Sequence, residues 1–243
     1  MVDTPMPLTA HLAELRMRLI WCCLALVASF IVCYALSDKI VASLQFPPVL
    51  IGNPVKVPLQ IIAPAEAFVT YIKVGFIAGL FVVLPLILHQ PWKFVAPGLL
   101  EHERKYTIPF ILGSALLFYT GGVVFYLVLP FIIRFLLSFA QGDIKAQLSV
   151  GYYVTFCVRL MIAFGLIFQF PMVVVFLTQL GLVSSRLLWK NVRYAVVLIV
   201  VAAAVLTPTT DPLSLFCMVI PMLALYGVGI LAAKGVELRQ AGR

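Results

Sequence analysis

The sequence predicts an all-α, polytopic membrane protein, and three observations carry the prediction. Hydrophobic residues make up 63% of the 243 and charged residues only 11%, where a soluble domain carries about 25% charged. Mean hydropathy is +1.13, and no linker-like or low-complexity stretch dilutes it. The apolar residues also fall into long, separate runs. So apolar a chain cannot cover its own surface with polar groups, so most of that surface must face lipid. A single integral membrane domain over residues 1–243 is expected.

The elements follow in order. In the lead, Leu8, Leu12, Leu15 and Leu19 share one helical face, with His11, Glu14 and Arg18 on the other. This spacing predicts an interfacial helix over 7–18 that runs into the first span. Six spans are expected, at 19–36, 68–89, 108–130, 153–180, 194–206 and 213–233. The first four and the last suffice to cross a hydrocarbon core of about 30 Å. The fifth has 13 residues and joins the sixth through Thr207-Pro208-Thr209-Thr210-Asp211-Pro212, a turn short enough only for an antiparallel hairpin. A final pair of short helices, the fifth and sixth, is therefore expected. Pro85, Pro130, Pro171 and Pro221 bend or end spans, which predicts a kinked, concave set of helices. Gly75 and Gly79, four apart, permit close helix packing. The external loop 37–67 carries five prolines, Pro48 among them, and the stretch after Phe131 reads as a helix at the outer interface. These two loops form a candidate cap.

Orientation comes from the basic residues. Eleven lie on the side of the termini, among them Arg16, Arg18, Arg104, Lys190 and Arg193. Four lie on the opposite side (Lys39, Lys56, Arg134 and Lys145). This asymmetry puts both termini in the cytoplasm. The net charge of +8 is thus largely a topology signal and calls for no nucleic acid. Cys22, Cys23, Cys33, Cys157 and Cys217 all lie within apolar segments and form no C-x-x-C pair, as expected of small apolar filler. No P-loop, nucleophile elbow, zinc-binding or dinucleotide motif is present, so neither catalysis nor a cofactor or metal is expected.

A few polar residues remain as site candidates. Glu14 is accounted for either by an i,i+4 pair with Arg18 or as a binding carboxylate. Glu101 has Lys105 at i+4. Glu103 has no base at its ±4 positions, so it is either a solvated loop charge or available to an external cation. Lys73 and Arg159 lie near span ends, where snorkelling explains them. Gln169 lies mid-span beside Pro171, and its amide needs a partner on another helix. Asp211 precedes Pro212 and reads as the cap of the sixth helix.

Two of these stretches are distinctive. His11-Leu-Ala-Glu-Leu-Arg-Met-Arg-Leu19 and Gln90-Pro-Trp-Lys-Phe-Val-Ala-Pro-Gly-Leu-Leu-Glu-His-Glu-Arg104 resemble the signature segments of the TatC family of the twin-arginine protein translocase. Phe164-Gly165, Phe168-Gln-Phe-Pro171, Leu206-Thr-Pro208, Asp211 and Ile220-Pro221 match in order, so the resemblance covers nearly the whole chain. It implies a receptor that binds twin-arginine signal peptides of folded precursor proteins through Glu14 and Glu103, with Arg16, Arg18 and Phe94 in the same motifs. It further implies docking of single-span TatA/TatB-like partners around Gln169, Leu206 and Thr207. Pro48 and Asp211 take structural roles, and the proton-motive force drives transport in a multi-subunit complex of the bacterial cytoplasmic membrane. Where the family often has a glutamate this chain has Gln169, which cannot titrate, and Gly227 stands at another such position. A secondary transporter would predict paired intramembrane charges and internal repeats, which the chain lacks. A passive scaffold would not need Glu14 and Glu103 in solvent.

Overall fold

The computed structural model describes residues 8–45, 57–95, 107–139, 147–207 and 211–241. In chain order the elements are α1 (Leu8–Ala35), α2 (Ser37–Gln45), β1 (Leu59–Gln60), α3 (Glu66–Val95) and α4 (Thr107–Leu137). They continue with β2 (Leu148–Ser149), α5 (Val150–Ile167), α6 (Phe170–Gln179), α7 (Ser185–Lys190), α8 (Val192–Leu206) and α9 (Pro212–Ala241). Five segments are long and apolar enough to cross a membrane: Arg16–Ala35, Glu66–Ile87, Ile108–Leu137, Val150–Gln179 and Pro212–Gln240. Val192–Leu206 is a shorter apolar helix.

The lead runs into the first span as expected, α1 being unbroken from Leu8 to Ala35 with its hydrogen-bond ladder continuing past Arg16 and Arg18. Other expectations are corrected. The fifth span is short, 15 residues or about 22 Å of helix, but the sixth is not. The final helix has 30 residues, so the expected pair of short helices reduces to one. Its extra turns carry Lys234, Glu237 and Arg239, and they are held by packing: Ser185 donates to Glu237 through its backbone N (2.6 Å) and its hydroxyl. The stretch 131–137 is no interfacial helix. It is the end of α4, with Ile132 and Ile133 only 1% and 2% exposed.

The prolines act unevenly. Pro130 and Pro221 lie inside continuous helices, as does Pro85. Only at Pro171 is a span interrupted, between α5 and α6. Pro171 has no N–H to give the carbonyl of Ile167. The chain bridges the gap with a tightened turn, Gln169 N donating to Leu166 O at 3.0 Å, while Gln169 itself stays in the right-handed helical region.

The described residues group into two compact units, Met1–Asp38 with Tyr71–Ala115, and Lys39–Thr70 with Leu116–Arg243. In the first, α1 packs on α3 through Gly75 and Gly79. A β-carbon on Gly75 would lie 2.9 Å from Tyr34 Cα, and one on Gly79 would lie 3.0 Å from Phe30 N. Only hydrogen fits there, and Ser29 Oγ uses the close approach to donate to Gly79 O at 3.1 Å. In the second unit, Leu129, Val154, Cys157, Leu160, Phe164 and Met218 are almost fully buried. The rings of Phe170 and Tyr226 stack with centroids 5.8 Å apart, joining α6 to α9.

The candidate cap is part of this second unit. The strands β1 and β2 pair in parallel over two residues, Leu59 with Leu148 and Gln60 with Ser149, a feature the all-helical expectation lacked. Glu66, at the first turn of α3, ties this pair to the helices. Its Oε2 accepts from Ile62 N (2.7 Å) and Ala63 N (3.1 Å), and its Oε1 accepts from Gly151 N (2.7 Å) and from the Ser149 hydroxyl. A β-carbon at Gly151 would lie 2.9 Å from Glu66 Cγ and 3.0 Å from its Oε1. Tyr126 and Tyr153 donate to the carbonyls of Ser43 (2.9 Å) and Leu44 (2.7 Å), which fastens the C-terminal turn of α2.

Candidate functional site

The two distinctive motifs lie on α1 and on the end of α3, both within the first unit. The first turns of α1 carry Glu14, Arg16 and Arg18 because the leucine face continues unbroken into the span. Arg16 is exposed and Arg18 half-buried. Arg18 Nη1 donates to the backbone carbonyl of Gln90 over 3.4 Å. Gln90 opens the second motif, so the structure brings the two stretches together at this long, charge-assisted contact. Phe94 lies in the last turn of α3. The side chains of Glu14 and Phe94, the whole of Glu103, and Pro48 lie outside the described residues.

The intramembrane candidates belong to the second unit. Gln169 is half-buried at the α5–α6 break and caps α6 with its backbone, its carbonyl accepting from Met172 N (3.0 Å) and Val173 N (3.1 Å). Leu206 is half-buried at the end of α8. Thr207 is 8% exposed, and its hydroxyl donates to the carbonyls of Ala203 (2.8 Å) and Ala204 (3.3 Å). That hydroxyl closes α8 and is engaged within its own helix. Asp211 caps α9, its Oδ2 accepting from Ser214 N at 2.7 Å. Arg159 is exposed within α5. Among the described residues no cluster of histidine, cysteine, aspartate and glutamate is built to hold a metal.

Glu66, Tyr126, Tyr153 and the Ser185–Glu237 pair escaped sequence reasoning. The available signal for Glu66 was its place one residue after Pro64-Ala65, at the start of an apolar run, where an acidic first-turn residue is favoured.

Residues 10–221 match the family model of the Sec-independent protein translocase protein (TatC). The chain belongs to the TatC family. Among its relatives, the Sec-independent protein translocase protein TatC of Magnetococcus marinus is 38% identical over 99% of this chain and 88% of its own length. That of Koribacter versatilis is 37% identical over 90% of this chain and 82% of its own. A chloroplastic TATC of Pisum sativum is 40% identical over 92% of this chain and 63% of its own. The fold matches a crystal structure of the twin-arginine translocase receptor TatC with a TM-score of 0.75 and 31% identity, covering 93% of this chain and 99% of that one. A second crystal structure of TatC, in the detergent DDM, matches with a TM-score of 0.77 and 32% identity, covering 92% and 99%. This TatC-family chain is therefore a multi-pass membrane component of Sec-independent protein translocation, working within a translocase complex, and not an enzyme.

Proposed function

We propose that this chain is the receptor of its translocase, binding the paired arginines of signal peptides on the cytoplasmic face through Glu14 and Glu103. The observation that carries the reading is the Arg18–Gln90 contact, which joins the two motifs that hold these carboxylates. The description of the matched crystal structures as a translocase receptor supports it. Two carboxylates on separate segments suit two adjacent guanidiniums, because Arg–carboxylate pairs are bidentate in a way Lys pairs are not. Arg16 and Arg18 on one motif, with Arg104 and Lys105 on the other, keep the surroundings electropositive. They limit affinity and so permit release. Phe94 supplies an apolar contact beside the charges. Both termini face the cytoplasm, the membrane is the bacterial cytoplasmic membrane, and the proton-motive force supplies the energy.

Gln169 docks a single-span partner helix, with Leu206 as an apolar contact. Thr207, whose hydroxyl is spent on α8, contributes shape. The neutral amide serves as a hydrogen-bonding group, so Gln169→Leu weakens partner association by about 1 kcal/mol while Gln169→Glu retains it. Co-purification of a TatB-like partner with each variant checks this.

The test of the receptor role is binding of a twin-arginine signal peptide and its twin-lysine version to the purified protein in nanodiscs. Wild type should prefer the arginine peptide by about tenfold or more, the loss expected for one charge-assisted bidentate contact. Glu103→Ala should abolish that preference. An undiminished preference in both Glu14→Ala and Glu103→Ala would refute the assignment.

A further inference from the structure

The turn between α7 and α8 carries a feature that signal-peptide recognition leaves unused. A surface cavity of about 730 Å³ is lined by Trp189, Lys190, Asn191, Val192, Arg193 and Tyr194. Trp189 and Tyr194 are 72% and 73% exposed, so both rings are open to contact from outside the chain. Arg186, Lys190 and Arg193 are all exposed, and among the described residues none of the three has an ion-pair or hydrogen-bond partner. Glu237, the acid bound to this turn, is committed, both carboxylate oxygens being taken by Ser185. Asn191 is committed too, its Nδ2 donating to Leu187 O at 3.0 Å. What the cavity offers is therefore positive charge framed by aromatic rings.

Its position selects the occupant. The helix that leaves the cavity, α8, exposes Val197, Leu198, Val201 and Val205 by 55–79%, an apolar face that continues from Tyr194 and meets lipid. With only 15 residues, α8 is shorter than the hydrocarbon core, and a short span is accommodated by bilayer thinning and by flanking residues that reach into the headgroups. Tyr and Trp prefer that depth, and Lys and Arg there attract anionic headgroups. The scaffold under the cavity is also fixed in advance. Tyr226 Oη donates to Leu188 O (2.8 Å), and Ser184 Oγ accepts from Leu187 N (3.1 Å).

From this geometry we infer that the α7–α8 turn binds the phosphate headgroup of an anionic phospholipid, with Arg186, Lys190 and Arg193 on the phosphate and Trp189 and Tyr194 against the glycerol and upper acyl chains. The bound lipid seals the bilayer around the short span.

Trp189 reports on the site directly. In a Trp21→Phe/Trp92→Phe background shown to be folded, the protein is placed in phosphatidylcholine vesicles containing brominated phosphatidylglycerol or, at equal mole fraction, brominated phosphatidylcholine. Phosphatidylglycerol should quench Trp189 with about fivefold or greater relative occupancy. The variant Arg186→Gln/Lys190→Gln/Arg193→Gln should quench equally with both lipids. Equal quenching of the unsubstituted turn, or a preference that survives the triple substitution, would overturn the proposal. Inorganic phosphate added in detergent separates the two sources of the anion. If it protects the turn as well as the lipid does, the site takes a soluble anion and the lipid assignment is wrong. Should the tryptophan background fail to fold, native mass spectrometry of the unaltered protein and the triple variant makes the same comparison through retained phosphatidylglycerol. No signal peptide enters either readout, so failure here and failure of the receptor reading are distinguishable.

Discussion

The cap around β1 and β2 and the α7–α8 turn belong to the same compact unit and use charge in opposite ways. In the cap, Glu66 gathers three backbone N–H groups and a hydroxyl from segments on either side of α4. Its charge is consumed inside the fold. At the turn, Arg186, Lys190 and Arg193 have no such partners among the described residues, while the neighbouring acid is already bonded to Ser185. A carboxylate surrounded by donors is structural, whereas cations without internal partners are open to an external anion. Glu14 and Glu103 differ from Glu66 at the level of sequence, where basic residues surround them.

The sharpest way to break this contrast is to remove the consumed charge. Glu66→Ala should give the largest fall in thermal midpoint of any single substitution in the cap, measured in detergent by loss of the monodisperse peak after heating. It strips the acceptor from Ser149 and Gly151 at once. Glu66→Gln should fall between it and wild type, because an amide oxygen still accepts but its NH₂ faces donors. Next comes the α7–α9 tie: Glu237→Ala should cost about 1–2 kcal/mol and loosen α7, seen as faster amide exchange at Ser185. Smaller again is Asp211→Ala, expected to cost about 1 kcal/mol through loss of the α9 cap and recoverable by Asp211→Asn. By contrast, neutralising Arg193 should leave the stability of the delipidated protein within about 0.5 kcal/mol of wild type, since it removes no internal bond.

Hydropathy made the spans legible because lipid imposes a single requirement on every residue that faces it. The boundaries were less so. The end of α9 was missed because Lys234, Glu237 and Arg239 stop the apolar run while the backbone ladder continues. Residues 131–137 were misassigned because Phe-Ile-Ile-Arg-Phe-Leu-Leu has the same composition whether it lies on an interface or packs inside, and only the buried Ile132 and Ile133 distinguish the two. The Glu66 network joins residues 83 and 85 positions apart, a separation that local pattern does not reveal. Gly75 and Gly79 were legible as a spacing, but their partner helix was not. At the candidate site, the motif residues stood out through resemblance, and the Arg18–Gln90 contact between the motifs did not.

The central claim is that separate carboxylates read the two signal-peptide arginines. A double-mutant cycle tests it most directly, combining Glu14→Gln and Glu103→Gln with Arg→Lys at each peptide position and measuring affinity in nanodiscs. The account predicts that each glutamine substitution couples to one arginine position by about 1 kcal/mol or more and leaves the other nearly additive. Additivity throughout, with the protein folded and the peptide bound, would contradict it.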